Sequence, residues 1–140
     1  MKKFVSVIII VATFVLCFTL CACGNRYVSK YTASTMTSIN TSNKASVSFG
    51  SFSGTYVIKL QNKGSDEVSI SYEATLEEGN IKVYYDFKDE KLDLFEIAAD
   101  GVVEGKTETF KGNKTIYIII ESKGKCKDGS FSFALEKSKK

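Results

Sequence analysis

The chain of 140 residues carries 19 basic and 16 acidic side chains and contains no proline, histidine or tryptophan. The formal charge is +3, of which Lys2 and Lys3 supply two units, and no basic stripe interleaved with aromatic residues stands out. This balance argues against nucleic acid as a partner. The absence of histidine removes the usual neutral-pH acid and base and the usual zinc ligand. The length allows one domain, and we expect it not to be an enzyme.

The first 22 residues have the three regions of a secretory signal peptide. Lys2 and Lys3 give a basic start, Phe4–Leu20 is an apolar run, and small residues follow it. The alternative is an uncleaved membrane helix, but a span needs about 20 apolar residues and this run falls slightly short. We therefore expect residues 1–22 to be removed as a leader.

The end of the leader resembles the lipobox of bacterial lipoproteins, through Leu20, Cys21, Ala22 and Cys23. Cys21 stands where alanine or serine is more usual, although it is also small. The resemblance implies cleavage between Ala22 and Cys23 and a covalent diacylglycerol on the Cys23 sulfur, the only cofactor-like group that we expect. Lipid on Cys21 is an alternative with a poorer motif. Acyl chains at Cys23 would hold the protein on the extracytoplasmic face of the cell membrane.

Counting the cysteines leaves one thiol in the mature domain. Cys17 and Cys21 belong to the leader and Cys23 carries lipid, so Cys126 has no partner for an internal disulfide. The lysines within residues 123–127 would favour a thiolate, which makes Cys126 a candidate reactive thiol. We favour the alternative of an incidental cysteine, because the chain has no histidine to pair with it.

Residues 23–44 are predicted to form a flexible spacer between the anchor and the domain. Serine, threonine and asparagine dominate this segment, and no apolar period persists in it. In the alternative interpretation, Tyr27, Val28 and Tyr31 form a short strand that docks on the domain.

Residues 45–140 are predicted to form an all-β domain, an antiparallel β-sandwich. Apolar and polar residues alternate there between turn signals spaced by roughly 8 to 12 residues. The clearest strand covers residues 67–76, with inward-facing Val68, Ile70, Tyr72, Ala74 and Leu76. The same alternation predicts strands over residues 55–61, 81–87 and 130–136.

Three further segments complete the predicted sheet. Residues 115–121 are apolar on both faces, which is typical of a central strand. The adjacent Leu94 and Phe95 interrupt the alternation of residues 92–98 and indicate a bulge or a corner. Residues 102–110 are polar and contain a glycine, as expected of an edge strand. The total is seven strands, or eight if Ser46–Phe49 forms one.

Four short stretches of this domain resemble small surface lipoproteins of low-GC Gram-positive bacteria. The resemblance implies a jelly-roll-like sandwich, distantly similar to the β-sandwich accessory modules of secreted enzymes, and a surface location, but it brings no catalytic motif. The stretches are Phe52–Thr55, Ser69–Tyr72, Glu78–Val83 and Gly129–Phe133.

Two tyrosines are the candidate ligand-binding residues of the domain. Tyr84 and Tyr117, with Ile119, fall on strand faces opposite the predicted inward faces. On neighbouring strands they would form an exposed aromatic patch able to stack a sugar or dock a protein. We favour the alternative that the spacer or a loop covers them, or that the faces are reversed.

An acidic stretch is the only candidate for a metal site. Asp86, Asp89, Glu90 and Asp93 have oxygen ligands of the kind that Ca²⁺ prefers. No glycine-containing calcium loop accompanies them and lysines lie nearby, so we favour a solvated charged turn and expect no metal.

The sequence therefore predicts a lipid-anchored, non-catalytic binding module for a glycan, a peptide or another envelope protein. The alternative is a structural or protective envelope lipoprotein without a small ligand. A carbohydrate-active accessory protein is the third interpretation, and it ranks last because the chain has so few acid and base groups.

Overall fold

The computed structural model describes residues 27–62, 67–86, 90–111 and 115–138. No helix in this part of the chain is long and apolar enough to cross a membrane. The described residues form ten strands: β1 (Lys30–Ser34), β2 (Thr37–Asn40), β3 (Lys44–Gln61), β4 (Glu67–Glu78), β5 (Asn80–Asp86), β6 (Lys91–Ala98), β7 (Gly101–Lys106), β8 (Phe110–Lys111), β9 (Thr115–Ser122) and β10 (Cys126–Lys137). The predicted leader, the cleavage site and Cys23 lie outside the described residues.

The 18-residue strand β3 belongs to both layers of an antiparallel sandwich. Its first part, through Phe52, pairs with β10, and its last part, from Thr55, pairs with β9. The strand order β6-β5-β9-β3-β10-β4-β7 is therefore divided at β3. We name β2, the first part of β3, β10, β4 and β7 the first sheet. The last part of β3 with β9, β5 and β6 is the second sheet.

Gly54 lies where β3 leaves one sheet for the other. Its φ is 117°, a conformation that side chains other than glycine rarely adopt. A Cβ atom at this position would also overlap the carbonyl oxygen of Lys30, because β1 runs along the same stretch of β3. Glycine therefore permits both the change of direction and the close approach of β1.

Aromatic contacts join the two sheets across the core. Phe95 of β6 stacks on Tyr72 of β4 with 4.8 Å between ring centroids. The same ring lies 6.3 Å from Phe131 and 6.3 Å from Phe133, both on β10. Burying these faces is the main favourable contribution to folding, since each large apolar side chain removed from water contributes about 1.5–3 kcal/mol.

The all-β sandwich and the main strand faces are confirmed. The residues predicted to face inward on β4 and β10 are buried, apart from the half-buried Tyr72 that packs against the core. Residues 115–121 lie in a central strand, since β9 is flanked by β5 and β3, and β7 is an edge strand. The predicted irregularity is a bulge: Val83 pairs with Phe95 and Tyr84 with Asp93, so Leu94 is the extra residue.

The flexible spacer predicted over residues 23–44 is wrong for residues 30–34 and 37–40, which form β1 and β2. Both pair with β3, with Lys30 opposite Thr55 and Thr37 opposite Ser48. The physical reason is that an edge of β3 presents backbone donors and acceptors, and a polar segment can satisfy them without an apolar pattern. The alternative of a docked segment is the better description here, with Tyr31 packed edge-on against Tyr56 at 5.2 Å.

Candidate functional site

The structure brings the two predicted tyrosines onto one face. Tyr84 of β5 and Tyr117 of β9 both project from the outer face of the second sheet, since Tyr84 is opposite Ile119 and Asp86 is opposite Tyr117. Both tyrosines are half-buried. Ile119, the third residue of the hypothetical exposed patch, is only 1% exposed. Its cross-strand neighbours Tyr84 and Val57 flank it on this face.

Both tyrosine rings are already in contact with other side chains. The Lys91 ammonium lies 4.1 Å and that of Lys82 lies 5.2 Å from the centroid of the Tyr84 ring. The Lys59 ammonium lies 5.9 Å from the centroid of Tyr117. Such cation–π contacts are favourable by about 0.5–1 kcal/mol at exposed sites. We call these five residues the tyrosine–lysine surface.

Tyr27, from the segment between the predicted anchor and β1, covers part of this surface. Its ring meets Tyr117 edge-on with 5.3 Å between centroids. Its hydroxyl donates a hydrogen bond to the carboxylate of Asp86, which is 2% exposed. The chain is therefore fixed to the domain from Tyr27 onward, and Tyr117 is only partly open to a ligand.

Two of the four carboxylates in the predicted acidic stretch have partners within the protein, and Glu90 is exposed. Asp86 accepts from Tyr27, and Asp93 forms a salt bridge of 3.5 Å with Lys82. Asp89 lies outside the described residues. Among the residues that the structure describes, no group of three or more acidic, histidine or cysteine side chains is arranged to hold a metal ion.

Cys126 is not the reactive thiol that its lysine neighbours suggested. Its side chain is 0% exposed, and burial raises the pKa of the thiol, although a hydrogen bond with the backbone of Asn80 lowers it in part. Two of the neighbouring lysines turn elsewhere, Lys123 to Glu96 at 3.8 Å and Lys127 to Glu78 at 3.7 Å. Desolvation therefore disfavours the thiolate, and the cysteine is a residue of the core.

A groove of about 550 Å³ lies on the outer face of the first sheet. Its floor consists of short side chains: Ser46 of β3, Ser132 and Ala134 of β10, and Ser71 of β4. Ser46 is opposite Ser132 on the neighbouring strand, which places their hydroxyls side by side. We call this feature the serine groove.

Longer side chains border the serine groove. Ile39 and Thr41 lie on the β2 side, while Glu73 of β4 and Glu104 of β7 lie on the other. Residues that are direct cross-strand partners form one line across the whole first sheet. The line runs from Ile39 through Ser46, Ser132 and Glu73 to Glu104. Lys44 and Glu136 complete the charged lining.

The sequence did not predict the serine groove, although it predicted its parts. The alternation of β4 and β10 placed Ser71, Glu73, Ser132 and Ala134 on outward faces. The groove exists because β3, β10 and β4 are neighbours, and that order joins segments far apart in the chain. Outward serines on several strands are the only sequence signal for it.

No protein-family model and no curated protein matches the chain. Among solved structures, TmCBM61 in complex with β-1,4-galactotriose has a TM-score of 0.52 and 16% identity, over 82% of this chain and 92% of that one. CsCBM6-3 from Clostridium stercorarium in complex with cellobiose has a TM-score of 0.42 and 9% identity, over 78% of this chain and 87% of that one. The chain thus has a jelly-roll-like sandwich resembling that of carbohydrate-binding modules.

Proposed function

We propose that this protein is a non-catalytic glycan-binding module, held on the extracytoplasmic face of the membrane by lipid on Cys23, with the serine groove as its binding site. The observation that carries the proposal is the groove itself, an open hydroxyl-lined trough on a sheet face. It is supported by the fold that the chain shares with TmCBM61, whose structure holds a galactotriose.

The lining of the groove suits a ligand that is rich in hydroxyl groups. The hydroxyls of Ser46 and Ser132 each offer one donor and two acceptor positions. The Ser71 hydroxyl donates to the Ala134 carbonyl oxygen at 3.4 Å, so it offers a ligand acceptor positions, as the Glu73 carboxylate does. Neighbouring strands repeat these groups at roughly 4.8 Å, the spacing between strands in a sheet. Because the floor side chains are short, a sugar chain can approach the sheet closely.

Glu73 and Glu104, the two neighbouring glutamates among the three in the groove, do not suit glycoside hydrolysis. A retaining glycosidase holds two carboxyl groups about 5–5.5 Å apart on either side of the scissile bond. Glu73 and Glu104 are direct cross-strand neighbours, so they project from the same face and stand side by side. A sugar lying on the sheet would meet both carboxylates from one side, instead of having one on each side of the scissile bond, and this favours binding over hydrolysis.

The position of Tyr27 supports an outward-facing groove in the anchored protein. Cys23 precedes Tyr27 by four residues, which span at most about 14 Å when extended. Tyr27 docks on the outer face of the second sheet, whereas the groove opens on the outer face of the first. The two outer faces of a sandwich point in opposite directions. Lipid on Cys23 would therefore bring the Tyr27 side towards the membrane and leave the groove accessible.

A glycan array with the mature protein in detergent tests this function. Ser132→Arg fills the floor of the groove and is expected to remove binding to every glycan that the parent protein recognises. Ser38→Arg is the matched control, because Ser38 is exposed on β2 and does not line the groove. Loss of binding in both variants, or in neither, would contradict the assignment, and an array without any bound glycan would contradict the function.

A further inference from the structure

Glu73 and Glu104 are like charges placed directly opposite each other on β4 and β7. Both are exposed, and both line the serine groove. Like charges directly across an antiparallel pair destabilise the sheet. Within the described part of the chain, neither carboxylate takes part in a salt bridge.

Several other carboxylates on the two sheets form salt bridges with lysines. Glu136, on the rim of the groove, pairs with Lys106 at 2.6 Å, and Glu121 on the other sheet pairs with Lys91 at 2.9 Å. The lining of the groove contains three glutamates and only one lysine, Lys44. With Glu136 paired to Lys106, Glu73 and Glu104 stand against Lys44 alone, so the lining of the groove keeps a net negative charge.

We propose that the serine groove binds a glycan bearing protonated amino groups, with an ammonium held between Glu73 and Glu104. This inference rests on the proposed glycan-binding function. An ammonium brings three donors and a positive charge to two carboxylates that offer only acceptors, and such charge-assisted hydrogen bonds are the stronger kind. The serine hydroxyls of the floor bind the uncharged hydroxyls of the same sugar. A glycan carrying carboxylates or phosphates is repelled by the same two glutamates.

The first test compares oligosaccharides that differ only in charge. Calorimetry with the mature lipoprotein in detergent would use glucosamine oligomers with free amines, the N-acetylated oligomers of equal length, and galacturonate oligomers. We expect the aminated oligomers to bind about tenfold more tightly than the N-acetylated ones, because a hydrogen bond between charged groups is the stronger kind. The difference is limited to this size because both carboxylates are exposed and partly screened by solvent. Raising the salt concentration should reduce this difference. Equal affinity for the two, or tighter binding of galacturonate, would overturn the inference.

The second test separates a binding role of the two glutamates from a structural one. Glu73→Gln and Glu104→Gln remove the repulsion, so each should raise the Tm while lowering affinity for the aminated oligomer about tenfold. Affinity for the N-acetylated oligomer should fall much less, because the glutamine amide oxygen still accepts hydrogen bonds from sugar hydroxyls. Glu67→Gln is the matched control, since Glu67 is an exposed residue of the same strand outside the groove. A higher Tm with unchanged affinity for the aminated oligomer would overturn the inference.

A lysine-rich peptide would match the negative charge of the groove but not its hydroxyl floor. If oligolysine binds the parent protein more tightly than the aminated sugar does, and the Ser132→Arg variant no longer binds oligolysine, the partner is a basic protein segment and the inference is wrong. If neutral glycans bind and amines add nothing, only the charge inference fails. If no glycan of any kind binds, the proposed function fails with it.

Discussion

The hydroxyl of Tyr27 donates a hydrogen bond to the carboxylate of Asp86, 59 positions later in the chain. Tyr27 belongs to the short segment that follows the predicted lipidation site, and Asp86 is the last residue of β5. This contact and the edge-on packing against Tyr117 turn the start of the predicted spacer into a part of the domain.

Removing this hydrogen bond should destabilise the folded domain. Tyr27→Phe keeps the ring contact with Tyr117 but deletes the donor to a buried carboxylate, so we expect a loss of about 1.5–3 kcal/mol in the free energy of unfolding. Tyr31→Phe is the matched control: no hydrogen bond involves the Tyr31 hydroxyl in the described part of the chain. Urea titration of both variants measures the difference, and equal midpoints would show that the Tyr27 bond contributes nothing.

Two glycines with positive φ should respond differently to alanine. Gly79 has a φ of 107°, and a Cβ there would lie 2.5 Å from the Sγ atom of Cys126. Gly124 has a φ of 86°, but no atom lies within 4 Å of its Cβ position. Both substitutions incur backbone strain of about 1–3 kcal/mol, and only Gly79→Ala adds overlap with the core. Thermal unfolding should show a clearly lower Tm for Gly79→Ala, and a similar Tm for the two would refute the overlap.

The Cys126 thiol should react slowly in the folded protein. Burial raises its pKa above the usual thiol value of 9.0, so both access and thiolate fraction are low. We expect little alkylation by iodoacetamide at pH 8 without denaturant and rapid alkylation in urea. Because the folded pKa is the higher one, this thiol contributes stability below its unfolded pKa, and the contribution is lost as pH rises through the folded value. Rapid alkylation of the native protein would restore the reactive-thiol hypothesis.

Variants of the two surfaces decide between the serine groove and the tyrosine–lysine surface. If the groove is the site, Tyr84→Ala leaves glycan affinity unchanged, whereas Ser132→Arg abolishes it. The reason is that the two side chains lie on the outer faces of different sheets. Tyr117→Ala is less informative, because it also removes the ring on which Tyr27 packs. Calorimetry that shows the reverse pattern would move the site to Tyr84 and Tyr117, as the sequence predicted.

The lipid anchor makes a prediction about the mature N-terminus. Mass spectrometry should find an N-terminal peptide that begins at Cys23 and carries a diacylglycerol. Cys23→Ser should leave the leader attached and the protein without lipid, because serine lacks the sulfur nucleophile. A parent protein that retains Met1 or has an unmodified Cys23 would contradict the anchor and the orientation argued from Tyr27.

The strand faces of this protein could be predicted from local sequence. In β4 and β10, apolar residues at every second position place one set of side chains in the core, because successive side chains of a strand point to opposite faces. The bulge at Leu94 was visible for the same reason, since an extra residue breaks the alternation. The sequence offered a docked strand around Tyr31 of β1 only as an alternative, and β2 was missed. Both strands are polar and are held by backbone pairing to β3 rather than by an apolar face.

The sequence by itself determined the all-β class, the main inward faces and the outward position of Ser71 and Ser132, two of the groove serines. Only the tertiary structure decided which strands are neighbours, and with that the serine groove, the pairing of Glu73 with Glu104 and the docking of Tyr27 on Asp86. The physical reason is that alternation is a local property of the chain. Strand order, in contrast, follows from contacts between segments far apart in sequence, such as β3 with β10, which no local pattern encodes.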